Sequence, residues 1–119
     1  MATRRTIERE CLTAAIATGG PTTLKKVNSF VDGAAVARIG ALPFARLDWV
    51  TEEMVLRSPE DRICGTMLEM LNVEGIVLEP AGALAVDVLP ELAAEIVGKT
   101  VVCVTSGGNF DFERLPEVK

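Results

Sequence analysis

The chain has 119 residues, 49% of them hydrophobic, which fits one domain with a real core and excludes disorder by composition. Seventeen acidic against 12 basic residues leave a net charge of −5, a poor match for a phosphate backbone, so nucleic acid is not expected as a partner. With no histidine, and with three cysteines (Cys11, Cys64, Cys103) far apart and no CxxC, a zinc cluster and Ser-His or Cys-His catalysis are excluded.

Four Phe, one Trp and no Tyr mean that the core is built from aliphatic side chains and Met, as suits helices packed on a parallel sheet. The cysteines read as free thiols in a reduced compartment. Ile7-Glu8-Arg9-Glu10 is not the apolar stretch of a secretory leader. No apolar run approaches the roughly 20 residues that cross a bilayer. A cytoplasmic protein with no membrane partner is expected, and the pairs Arg4-Arg5 and Lys25-Lys26 read as ordinary surface charge.

In chain order, Ile7, Cys11, Leu12, Ala15 and Ile16 fall on one face of a helix predicted over residues 6–18, stopped by Gly19-Gly20-Pro21. Residues 31–40 are rich in Gly and Ala, which allow close approach of backbone to backbone or to a ligand. A short helix is predicted over residues 42–50 with Pro43 in its first turn, then a short strand at Met54-Val55-Leu56. Ser58-Pro59-Glu60-Asp61 predicts a helix start, with Ser58 as N-cap and Asp61 as the acid of a capping box. That helix runs through Ile63, Met67, Met70 and Leu71, a stripe read as core, and Gly75 ends it.

Ile76-Val77-Leu78 predicts a short buried strand, and Pro80 opens a helix over residues 81–89 that Pro90 breaks. Residues 91–97 predict a further turn or two of helix. Val101 to Thr105, continuously apolar between turn signals, predicts a buried strand of parallel type. The order of elements is α/β. Few, short strands buried on both faces imply that more sheet comes from residues other than these.

Three segments carry candidate chemistry. Ser106-Gly107-Gly108-Asn109 follows a predicted strand, where α/β sheets bind ligands; on its own it is a tight turn as readily as a ligand loop. Glu79-Pro80-Ala81-Gly82-Ala83 opens a helix, where Glu79 either caps it or serves a site. Asp32-Gly33 is a loop turn by itself.

Taken together and in this order, the three segments resemble the fold-type II pyridoxal-phosphate enzymes, the family of threonine ammonia-lyase and serine racemase. Cys64-Gly65-Thr66-Met67, Glu74 to Leu84 and Val101 to Phe112 are especially similar to biosynthetic threonine ammonia-lyase (threonine dehydratase), and the resemblance covers residues 10–119. It implies a partial three-layer α/β domain, a short and mostly parallel sheet flanked by helices, with residues 1–119 forming one partial domain: the C-terminal portion of a catalytic domain. It implies pyridoxal 5′-phosphate as cofactor and L-threonine as substrate, converted to 2-oxobutanoate and ammonia on the way to isoleucine. By the same resemblance Ser106 meets the pyridine nitrogen, Glu79 lies near the ring, and the main chain of Gly33 approaches cofactor and substrate. Gly107, Gly108 and Asn109 shape the turn that holds Ser106.

The departures are specific. The family's Schiff-base lysine sits in a Ser-Phe-Lys-x-Arg-Gly-Ala motif, whereas Lys25, Lys26, Lys99 and Lys119 have no such setting and Val31 follows Ser29-Phe30. The four-glycine phosphate loop is also absent. Residues 1–9 do not resemble the family strand expected before the first helix. Without the lysine there is neither covalent anchor nor base, so the chain alone is expected to be inactive, with no catalytic residue of its own and no metal. The alternative is a non-catalytic module that self-associates or complements the missing part of the catalytic domain, as homo-oligomer or hetero-complex.

Overall fold

The computed structural model describes residues 6–7, 10–27, 29–111 and 113–114. The chain divides into two compact units, residues 1–57 and 58–119.

In the first unit, strand β1 (Thr6–Ile7) precedes helix α1 (Glu10–Thr18). The predicted helix therefore begins later than expected. Thr6 and Ile7 instead pair in parallel with Val55 and Leu56 of strand β2 (Val55–Leu56), in the register Thr6↔Val55 and Ile7↔Leu56. A strand does precede the first helix, although the sequence of residues 1–9 gave no expectation of one. Cys11, Leu12 and Ala15, spaced i, i+1, i+4, form the buried face of α1, and Val50 is buried in the same unit.

Gly19 ends α1 in the left-handed conformation (φ +75°), and the Gly20 N–H reaches back to the Ala15 carbonyl at 3.0 Å. Helix α2 (Ala41–Ala45) is shorter than the predicted span of residues 42–50; beyond it the chain continues in turns, the Leu47 N–H bonding Phe44 O and the Val50 N–H bonding Leu47 O. Of the predicted strand at Met54-Val55-Leu56, Val55 and Leu56 form β2, whereas Met54 closes a 3-10 turn (Glu52–Met54).

The second unit is built on helix α3 (Glu60–Glu69) packed against helix α4 (Pro80–Asp87). Ile63, Cys64 and Met67 form the buried face of α3, and Ala83 and Asp87 lie one turn apart on α4. The predicted cap of α3 is not formed. Pro59 occupies the N-cap position without a side-chain bond, because the Ser58 hydroxyl is taken by Asp87 at 2.5 Å. The Asp61 carboxylate accepts from the adjacent Arg62 N–H rather than from the residue of a capping box.

At its far end α3 widens into a single π turn, Met70–Glu74, closed by left-handed Gly75 (φ +67°) with the Ile76 N–H bonding Met70 O at 3.0 Å. Of the predicted core stripe Met67 is buried, whereas Leu71 is 36% exposed, because the widened turn rotates it off the packed face. Helix α4 is followed by a 3-10 turn, Leu89–Leu92, that accommodates Pro90, and by the short helix α5 (Ala93–Ile96).

Two predicted strands of this unit are not formed. Residues 76–78 and 101–105 have no regular secondary structure among the described residues. Only Leu78 of the first is buried; Ile76 and Val77 are exposed, as are Val101, Val102 and Val104. The physical reason is the absence of a ladder: a strand exists only through a hydrogen-bonded neighbour, and the paired residues described here are those of β1 and β2. The architecture is α/β, mostly helical with little sheet.

Candidate functional site

The candidate residues of the second unit converge on the N-terminus of α4. Glu79, extended at φ −74° and ψ 163°, is the N-cap, and Pro80 takes the first helical position, where its missing N–H costs nothing. The Glu79 side chain does not cap the helix. Its backbone N–H instead donates to the Gly107 carbonyl at 2.9 Å, which joins the helix start to the Ser106–Asn109 loop.

Three glycines make this contact possible. Gly107 is left-handed at φ +75°, and a Cβ there would collide with the carboxylate of Glu79. Gly82, buried in the first turn of α4, leaves no room for a Cβ against the carbonyl oxygens of Ser106 and Gly107. A Cβ on Gly108 would lie 3.1 Å from the Val77 carbonyl. Two carbonyls are thus laid against the positive end of a helix, a favourable placement. Ser106 and Asn109 are exposed on the loop so formed, and Glu79 is half-buried beneath it.

Of the six site residues expected from the sequence, Glu79, Ser106, Gly107, Gly108 and Asn109 belong to this cluster. Gly33 lies in the first unit, in a 3-10 turn (Asp32–Ala34), where its N–H donates to the Asp32 carboxylate at 2.8 Å. The cluster suits one side of an aromatic nitrogen cofactor: an exposed hydroxyl that can donate to or accept from a ring nitrogen, on a backbone fixed by close contact. It does not suit the covalent anchor, since the described lysines, Lys25, Lys26 and Lys99, are all exposed. Lys119 lies outside the described residues.

A second polar cluster was not anticipated. Asp87 is 1% exposed and accepts from Ser58 Oγ at 2.5 Å and Arg62 Nε at 2.9 Å on one oxygen, and from Thr66 Oγ1 at 2.7 Å on the other. Arg62 extends to Glu91 at 2.6 Å. The Glu91 hydrogen bond, opposed by burial and supported by Asp87, raises the Arg62 pKa and keeps the guanidinium charged. Burial first, then Glu60 and Asp61, pushes the neighbouring Cys64 thiol up from its ordinary value.

The available sequence signal was a single carboxylate in the apolar run Ala83-Leu84-Ala85-Val86-Asp87-Val88-Leu89. A groove of about 500 Å³ opens over Arg62, Thr66, Asp87 and Pro90, and none of its lining residues belongs to the Ser106 loop. The network satisfies a buried charge and ties α3 to α4, a structural task.

Residues 5–107 match the family described as "Pyridoxal-phosphate dependent enzyme". The chain is 48% identical over 96 residues to the biosynthetic L-threonine dehydratase of Halalkalibacterium halodurans, which covers 81% of this chain and 23% of that relative. Against the biosynthetic L-threonine dehydratase of Mycobacterium leprae the identity is 48% over 106 residues, or 88% of this chain and 25% of the relative. Among solved structures, the processed form of threonine deaminase isoform 2 from Solanum lycopersicum superposes with a TM-score of 0.82 at 26% identity, covering 94% of this chain and 34% of that one. Serine racemase from Dictyostelium discoideum gives a TM-score of 0.70 at 23% identity over 87% of this chain and 33% of that one. The chain spans about a quarter of the length of the curated relatives it matches.

Proposed function

The chain belongs to the pyridoxal-phosphate dependent enzyme family, and we propose that it carries the ring-facing part of the cofactor site of a threonine dehydratase. The observation that carries this reading is the fastening of the Ser106 loop to the start of α4, through Glu79 N–H to Gly107 O at 2.9 Å. It presents an exposed serine hydroxyl on a fixed backbone.

Pyridoxal 5′-phosphate, when bound, supplies the electron sink for converting L-threonine to 2-oxobutanoate and ammonia, a step towards isoleucine in which the water eliminated is returned when ammonia is released by hydrolysis. Ser106 would hydrogen-bond the ring nitrogen. A neutral hydroxyl leaves that nitrogen without a proton, so the sink is weaker than one made by a carboxylate partner and suits elimination of a β-hydroxyl. Glu79 would line the site, while Gly107, Gly108 and Asn109 hold the serine in place. The anchoring lysine and the phosphate-binding loop would come from residues other than these. The three free thiols fit a reducing cytoplasm.

The test is turnover of L-threonine to 2-oxobutanoate by the purified chain with added cofactor, followed beside the visible absorption of cofactor bound to protein. The expected result is no turnover by the chain alone. Turnover above a cofactor-only control would show that the anchor is dispensable or that Lys25, Lys26, Lys99 or Lys119 replaces it.

A second reading is favoured by one observation: Val102 and Val104 are 84% and 76% exposed in a segment with no strand partner among the described residues. Such a segment suits addition to another sheet edge, in a second copy or in the rest of a catalytic domain. Light scattering across concentration tests self-association, and a monomer throughout would exclude it.

A further inference from the structure

We propose that Gly82 is the positioning residue for Ser106, an inference that rests on the cofactor reading above. Ser106 is exposed on a loop whose place is set by its backbone rather than by its side chain. The carbonyls of Ser106 and Gly107 lie against Gly82 so closely that a single methyl group there would overlap the Ser106 oxygen. Such an overlap with backbone cannot be relieved by a side-chain rotation. Either the loop moves away from α4 or the first turn of α4 moves away from the loop. In both cases the Glu79 N–H to Gly107 carbonyl bond is lost and the hydroxyl of Ser106 is displaced with its main chain.

Gly82 touches neither cofactor nor substrate in this scheme; it acts through Ser106. Its φ is ordinary, so the requirement for glycine is one of space and not of backbone conformation. Gly65, in the middle of α3, is the matched control, because a Cβ there meets nothing within 4 Å.

The test uses the full chain with Gly82→Ala, Gly65→Ala and Ser106→Ala. Amide hydrogen exchange comes first. The Glu79 amide is expected to be protected in the wild type and to exchange about tenfold faster or more in Gly82→Ala, while the Ile63 amide of α3 keeps its protection. Gly65→Ala is expected to speed neither. The second readout is the pH dependence of the absorption of added pyridoxal 5′-phosphate, which reports the ring nitrogen. Gly82→Ala is expected to shift it in the direction of Ser106→Ala, a change that loss of stability alone does not produce.

Unchanged Glu79 exchange in a folded Gly82→Ala chain overturns the proposal. So does a wild-type Glu79 amide that exchanges as freely as an open loop, a measurement that does not depend on the variant folding. An absorption profile that moves with Ser106→Ala and not with Gly82→Ala overturns it as well. If wild-type chain and Ser106→Ala give identical profiles, the Ser106 hydroxyl does not meet the ring nitrogen in this chain, and exchange at Glu79 still decides whether Gly82 holds the loop.

Discussion

Ser58 donates its hydroxyl to the buried carboxylate of Asp87 at 2.5 Å, joining residues 29 positions apart. The bond explains why Ser58, with an ideal residue type for an N-cap, caps nothing. A fully buried carboxylate competes for the hydroxyl more strongly than the exposed amides of a helix start, which water can satisfy.

Removing the carboxylate should therefore be costly. Asp87→Ala removes the acceptor shared by Ser58, Thr66 and the Nε of Arg62 and is expected to lower stability by about 2–4 kcal/mol. Urea unfolding measures it, and a loss below about 1 kcal/mol would mean that water replaces the carboxylate at this site. Glu91→Ala removes only the half-exposed end of the same network and is expected to cost less than about 1 kcal/mol.

Cys64 gives a prediction in pH. Its folded-state pKa is raised, by burial and then by Glu60 and Asp61, so the folded chain holds the thiol proton where the unfolded chain releases it. The associated stability is complete below the ordinary thiol pKa of about 8.5 and is lost as pH rises through and above it. Denaturation midpoints measured on the alkaline side should fall more steeply for the wild type than for Cys64→Ala. Alkylation at neutral pH should be slow at Cys64 in the folded chain.

Two glycines with positive φ separate conformational from steric cost. Gly98 (φ +70°) faces open space, so Gly98→Ala is expected to cost only the left-handed backbone penalty, about 1 kcal/mol. Gly107 (φ +75°) also faces the Glu79 carboxylate, so Gly107→Ala should cost more. Equal losses in thermal unfolding would show that Glu79 simply turns away.

Gly65 should be improvable. It occupies a helix interior with nothing near a prospective Cβ, so Gly65→Ala is expected to raise stability by about 0.5–1 kcal/mol through helix propensity. A destabilised variant would reveal a contact at that face of α3.

What the sequence made legible was local and chemical. Pro80 after Glu79, the stops at Gly19 and Gly75, and the apolar stripe of α3 through Ile63 and Met67 depend on neighbours a few residues away, and each is found where its residue types place it. By itself the Ser106 loop read as a tight turn as readily as a ligand loop; its conjunction with Glu79-Pro80 and Asp32-Gly33 carried the fold, and that fold agrees with the superposition on threonine deaminase. Strands were legible only in part. Val101 to Thr105 has the composition of a buried strand, yet burial and pairing belong to the surroundings of a segment, and here Val102 and Val104 face outward. Thr6–Ile7 shows the converse: the apolar period of the following helix hid a pairing with residues 55–56 that no local pattern reveals. The partnership of Asp87 with Ser58, Arg62 and Thr66 was equally hidden, because it depends on how α3 and α4 face one another.

Helix α4 is anchored at both ends. Its first residues are pinned to the Ser106 loop, and its last, Asp87, is held by three donors from the start and body of α3. Sliding it along its axis by one residue, about 1.5 Å, would break the attachment at one end or the other. The helix is therefore a strut of fixed length: the distance from the entrance of α3 to the Ser106 loop is set by how many residues lie between Glu79 and Asp87. A one-residue insertion or deletion in that interval would move Ser106 even though every side chain around it was left unaltered.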